Sequence, residues 1–143
     1  MSYDKEWITA GPRPAGVNPT CFTPFTHTVS TCADGVVGTD RLYVTYSLFT
    51  ETESAAIYLQ YSDDQARSWS APHFIAGSAE FCGPSWSPSG RCNDSQGSQP
   101  TVNPTTGQLW VGFQNGDTED EDQYLVVTSK DGGQTFQGPY RVD

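Results

Sequence analysis

The residues best able to do chemistry in this chain are carboxylates, and they occur in two settings. Gly116-Asp-Thr-Glu-Asp-Glu-Asp122 crowds five of them into one short run. Calcium takes about 6–8 oxygen ligands, which makes Asp117, Glu119, Asp120 and Asp122 candidate Ca²⁺ ligands. The run lacks the Asp-x-Asp-x-Asp-Gly spacing of a dedicated calcium loop, so a solvated acidic loop is the competing reading. Asp64 and Asp131 stand instead inside a shared turn pattern, Ser-x-Asp-x-Gly-x-Thr/Ser-aromatic. Ser62, Asp64, Ser68 and Trp69 carry it once, with Ala66 at the glycine position; Ser129, Asp131, Gly133, Thr135 and Phe136 carry it complete. In such a turn the Asp and hydroxyl oxygens accept backbone N–H groups, and glycine supplies a left-handed backbone. The aromatic ring can bury about 150–250 Å² beneath the turn. That chemistry lets Asp64 and Asp131 hold the turn's backbone.

Cys21, Cys32, Cys82 and Cys92 allow three pairings. The local ones, Cys21–Cys32 and Cys82–Cys92, each close a short loop rich in turn-forming residues, and each would add roughly 3 kcal/mol in the chain-entropy model. Four free buried thiols are the alternative. No C-x-x-C spacing occurs and only His27 and His73 offer imidazole, a poor set for zinc. Local disulfides would imply an oxidising compartment.

These groups must be positioned by strands. Place Arg41-Leu-Tyr-Val-Thr-Tyr46 over Gln108-Leu-Trp-Val-Gly-Phe113 and the offset is 67 residues; the same offset carries Ile57–Ser62 onto Tyr124–Ser129 and the first turn onto the second without a gap. A repeat in register over strand, strand and turn is the strongest signal in the chain. A last strand follows each turn, Ser70–Ile75 and Gln137–Val142. The first strand of the second copy is Gln99–Pro104, and that of the first is Lys5–Thr9, although Thr26–Ser30 also has strand composition.

The turn resembles the Asp-box of sialidase-like (BNR-repeat) β-propellers, where it joins the third and fourth strands of a blade on the outer rim, away from the substrate face, which implies that Asp64 and Asp131 are structural. The resemblance implies an all-β fold of two four-stranded antiparallel blades: residues 1–78 with a disulfide-bounded insertion 11–38, and residues 79–143 with a disulfide-bounded loop 81–98. Such a partial propeller would be completed by oligomerisation or by further sequence. Two blades alone leave outward faces, expected to carry Tyr43, Val44, Leu59, Trp110, Val111 and Leu125. Three copies joined head to tail would close a six-bladed ring, an open contact would give a filament, and a stable monomer would point to a sandwich.

For function, the resemblance implies an extracellular module that binds a glycan or protein ligand or serves in assembly; the alternative is a fragment of an exo-α-sialidase or related glycoside hydrolase. Family sialidases grip the substrate carboxylate with three arginines and use a Tyr nucleophile, a Glu that activates it and an Asp acid/base. Here Gly11-Pro-Arg-Pro14 lacks the apolar flanks of the family's first arginine motif, Arg67 lies within a turn, and Arg41 and Arg141 lie in strands without matching motifs. No Tyr/Glu pair can be assigned, so no catalytic residue is assigned. Trp86, in the second cysteine loop, is a candidate sugar or protein contact; packing over its own loop is the plainer reading. Asn93-Asp94-Ser95 is a glycosylation sequon, whereas Pro19 and Pro104 exclude Asn18 and Asn103.

Composition removes other partners. With 7 Lys+Arg against 17 Asp+Glu, the chain lacks the clustered positive charge that nucleic acid and anionic membranes need. No apolar run approaches the ~20 residues that span a bilayer. Met1 to Trp7 has neither the basic nor the apolar region of a signal peptide, so either a signal has been removed or the chain is an excerpt.

Overall fold

Short runs of β-branched and aromatic residues, separated by glycine and proline, fold into two four-stranded antiparallel sheets. The computed structural model describes residues 2–51, 55–82, 90–116 and 123–142. The first sheet has the order β1 (Ser2–Pro12), β4 (Asp40–Phe49), β5 (Ala56–Ser62), β6 (His73–Phe74). The second runs β7 (Ser95–Val102), β8 (Leu109–Asn115), β9 (Gln123–Ser129), β10 (Gln137–Arg141). Each is a meander whose Asp turn links its third and fourth strands. A two-stranded ribbon, β2 (Cys21–Phe22) with β3 (Val29–Ser30), lies in the long β1–β4 connection. Both local disulfides are formed, Cys21–Cys32 and Cys82–Cys92. No helix among the described residues is long and apolar enough to cross a membrane.

Strand limits depart from the sequence reading in four places. β1 reaches Pro12, so the insertion starts after residue 12 rather than at 11. β7 begins at Ser95 inside the expected 81–98 loop, and it stops before Asn103. There the Asn103 Oδ1 accepts Thr105 N (2.9 Å) and Thr106 N (3.0 Å), which turns the chain. Only His73–Phe74 of Ser70–Ile75 is strand. Within Thr26–Ser30, only Val29–Ser30 is strand, and it pairs with the cysteine ribbon rather than with a main sheet.

One core lies between the sheets. Tyr43, Ile57, Leu59 and Ile75 of the first meet Leu109, Val111, Phe113, Leu125 and Val127 of the second, and all are essentially solvent-free. Burying each aliphatic or Phe side chain of this kind contributes about 1.5–3 kcal/mol. Ser98 Oγ donates to Thr45 Oγ1 (2.9 Å) within the same seam.

The contacting faces are not equivalent. Side chains alternate along a strand, and the 67-residue repeat offset is odd. The buried Tyr43, Ile57 and Leu59 therefore correspond to Trp110, Tyr124 and Val126, which point away from the core. Conversely, Val111, Phe113 and Leu125 correspond to Val44, Tyr46 and Tyr58 on the first sheet's far side. The sheets stack front to back. Of the six residues expected on uncovered faces, Tyr43, Leu59, Val111 and Leu125 are instead buried between the sheets, and Val44 and Trp110 face outward. These strands are apolar on both sides, so their composition does not reveal which side is covered.

Candidate functional site

At one end of the stack the two Asp turns are built as their sequence dictates. In the first, Ser62 Oγ donates to Asp64 Oδ1 (2.8 Å) and accepts Ala66 N (3.0 Å). Asp64 accepts Ser68 N (2.9 Å) and Ser68 Oγ (2.6 Å). In the second, Ser129 Oγ bridges Asp131 Oδ1 and Gly133 N (both 2.8 Å), while Asp131 accepts Gln134 N (3.0 Å), Thr135 N (2.9 Å) and the Thr135 hydroxyl. Burial pushes both carboxyls up, but these hydrogen bonds to the charged form outweigh it and hold both below the ordinary 3.8. The tips are left-handed in each: Gln65 (φ 61°) and Ala66 (φ 66°), Gly132 (φ 75°) and Gly133 (φ 89°). Both aromatics are half-buried: Phe136 packs against the core and edge-on to His73, their ring centroids 5.7 Å apart, and the Trp69 carbonyl accepts His27 Nδ1 (2.9 Å).

Beside the first turn lies a charged cluster that sequence reasoning missed. Arg41 is fully buried and grips Asp63 with Nε (2.9 Å) and Nη2 (2.6 Å). Its Nη1 crosses to the second sheet and donates to the Gly132 carbonyl (2.7 Å), and its plane lies 3.9 Å from the Tyr61 ring centroid. Asp63 also accepts Thr20 N (2.7 Å) and Arg13 Nη1 (3.4 Å), tying down the insertion. Nearby, the Tyr43 hydroxyl is buried with no hydrogen-bond partner among the described residues, and that burial pushes its ionisation up to about 12. A signal was present: the repeat places Gln108 and Lys130 where the first copy has Arg41 and Asp63, so the pair is exchanged together.

The opposite end gathers three connections onto Asn93-Asp94-Ser95. Ala55 N donates to Asn93 O (2.9 Å), Ser95 N to Ala55 O (3.0 Å), and Gly116 N to Asp94 O (2.8 Å). Asn115 Nδ2 reaches Ser95 Oγ (3.0 Å) and is steadied through its Oδ1 by Gln123 Nε2 (3.0 Å). A cavity of about 220 Å³ opens here, lined by Asp94, Gln96, Gln114 and Gly116. One carboxylate and two carboxamides around a polar cavity suit hydroxyl-bearing groups.

The described arginines do not converge on that cavity. Arg13 and Arg41 hold Asp63, Arg67 is exposed on the first turn, Arg91 lies over Phe74 (4.2 Å) and Arg141 over Phe81 (5.7 Å). No family model matches the chain, and no curated protein matches it. Trp86 and the calcium candidates Asp117, Glu119, Asp120 and Asp122 lie outside the described residues. Among the described residues, no three of His, Cys, Asp and Glu come together as a metal site.

Proposed function

We propose that the chain is two consecutive blades of a sialidase-like Asp-box propeller, working outside the cell in recognition and assembly without glycosidase activity of its own. The observation that carries this is the front-to-back stack, with both Asp turns between third and fourth strands. A propeller repeats one face-to-back contact around its axis, whereas a twofold sandwich of two copies would pair equivalent faces. Two disulfides suit an oxidising, extracellular setting.

The non-catalytic part of the reading rests on the arginines. A sialidase needs several guanidinium forks open to one carboxylate, but Arg41 is spent on Asp63 and Gly132 inside the protein. The Asp94–Gln96–Gln114 cavity is the recognition surface, and it matches sugar hydroxyls or a protein's polar groups. The test incubates the protein with a fluorogenic sialoside and probes an array of immobilised neutral and sialylated oligosaccharides. The expected result is no turnover above blank, and array binding that Asp94→Ala abolishes. Turnover would restore the reading as part of an exo-α-sialidase.

A further inference from the structure

The outer faces of the stack carry exposed apolar side chains, with Glu6, His27 and Gln60 among them on the first sheet, and the apolar residues have counterparts in the contact buried inside the chain. On the second sheet Trp110, Tyr124, Tyr140 and Val142 are 43%, 60%, 51% and 66% exposed. Their repeat equivalents are Tyr43, Ile57, His73 and Ile75; Tyr43, Ile57 and Ile75 are buried in the core, and His73 Nδ1 donates to Gly133 O (3.2 Å) across the seam. On the far side of the first sheet, Ile8 lies opposite Val44 as Pro100 lies opposite Val111 in the buried contact. Ile8 is 61% exposed, while Pro100 is buried.

We infer that the Trp110–Tyr124–Tyr140–Val142 face receives the Ile8–Val44–Tyr58 face of a second copy of this chain, continuing between molecules the contact already made within one. Side-chain sizes favour a copy. Inside the chain the second turn's tip is all glycine: a Cβ on Gly132 would come 2.6 Å from Arg41 Nη1, and one on Gly133 would come 3.2 Å from Leu59 Cδ2. On the outer face the equivalents of Arg41 and Leu59 are the smaller Gln108 and Val126. The tip that would meet them is the first turn's, with the larger Gln65 and Ala66, both exposed and both left-handed. At these two positions a bulkier tip is matched to a smaller wall, while Trp110 is larger than its equivalent Tyr43, which lies 3.5 Å from a Cβ on Gly133 inside the chain. Charge permits the contact: Trp110, Tyr124, Tyr140 and Val142 are uncharged residue types, so Glu6, which lies beside Val44 and Tyr46 on the first sheet's far side, would meet no like charge among them. A depression of about 530 Å³ around Gly112, Tyr124, Val126 and Val142 provides relief on the receiving face.

The inference supplies the partner for the assembly role proposed above and rests on that reading, but its test reads mass rather than turnover or glycan binding, so the two fail separately. Light scattering is run on the parent, Ile8→Glu, Trp110→Glu and an equimolar mixture of the two variants, with thermal melts to confirm folding; Tyr124→Glu replaces Trp110→Glu if that variant does not melt cooperatively. The parent is expected to exceed the 15.6 kDa of one chain, increasingly so with concentration. Each variant alone is monomeric, because every head-to-tail contact uses both faces. The mixture retains one intact pair of faces and stops at the dimer. A parent that stays monomeric at all concentrations overturns the inference and leaves the faces to an unrelated protein. So does either variant assembling like the parent, or a mixture that stays monomeric.

Discussion

In the first Asp turn the carboxylate side is buried and the tip is exposed; in the second the tip is buried, and Thr135 beside the carboxylate is exposed. The hydrogen bonds are nearly the same, so the difference comes from what lies against each turn. The insertion covers Asp64 in the first: Phe22 N donates to Ser68 Oγ (2.9 Å), and Thr20 N to the neighbouring Asp63. The first sheet covers the tip of the second, through Arg41 and His73. This explains why glycine is needed at 132 and 133, where a side chain would meet the neighbouring sheet, while Gln65 and Ala66 are tolerated in open solvent. A local motif fixes the turn's hydrogen bonds; the stack decides which of its residues are free to vary.

The largest expected effect lies in the charged residue beside each turn. Asp63→Ala leaves Arg41 buried without its counter-charge and should cost about 3–5 kcal/mol in urea unfolding. Lys130→Ala, at the equivalent exposed position, should change stability by less than about 0.5 kcal/mol. Replacing Arg41 and Asp63 together with Met and Leu should recover most of the loss, because no unpaired charge remains. If Asp63→Ala and Lys130→Ala cost the same, the two turns are not differently buried.

Next is the tip. Gly133→Ala forces a methyl against Leu59 and should destabilise by about 1–3 kcal/mol, read from thermal melts. The carboxylates follow: Asp64→Ala and Asp131→Ala each leave turn N–H groups unpaired, at about 1–3 kcal/mol, with the buried Asp64 at the upper end. Their acid behaviour has a definite sign. Both groups have folded-state values below the ordinary 3.8, so their stabilisation is complete above 3.8 and is lost as pH falls through the folded value. The gap between parent and Asp131→Ala should therefore shrink in melts recorded below pH 3.8, and a constant gap would mean that Asp131 is not held ionised. Smallest of all, Ala66→Gly relieves a left-handed residue and should be neutral or stabilising by up to about 1 kcal/mol, the opposite direction to Gly133→Ala.

What was legible in the sequence was local. Strand alternation, the Ser-x-Asp turns and two short cysteine loops are set by neighbours in the chain, and the strands and disulfides appear close to where they were expected. The stacking direction was not legible, because Tyr43 and Val44 are adjacent and both apolar, and only the partner sheet decides which is covered. Nor was the Arg41–Asp63 pair, whose partners lie 22 residues apart and belong to no motif. Comparing the two copies position by position, Arg41 with Gln108 and Asp63 with Lys130, would have exposed it. The Asp94 cavity depends on three connections meeting in space, which no single segment records.

If the two sheets stack through opposite faces of one repeat, the equivalent residues Tyr43 and Trp110 must differ in what their truncation costs. Chemical denaturation of Tyr43→Ala and Trp110→Ala is followed at a protein concentration low enough to suppress association. The expected loss is about 3–5 kcal/mol for Tyr43→Ala and less than about 0.5 kcal/mol for Trp110→Ala. Comparable losses at the two positions would contradict that stacking, because they would place equivalent faces in equivalent surroundings.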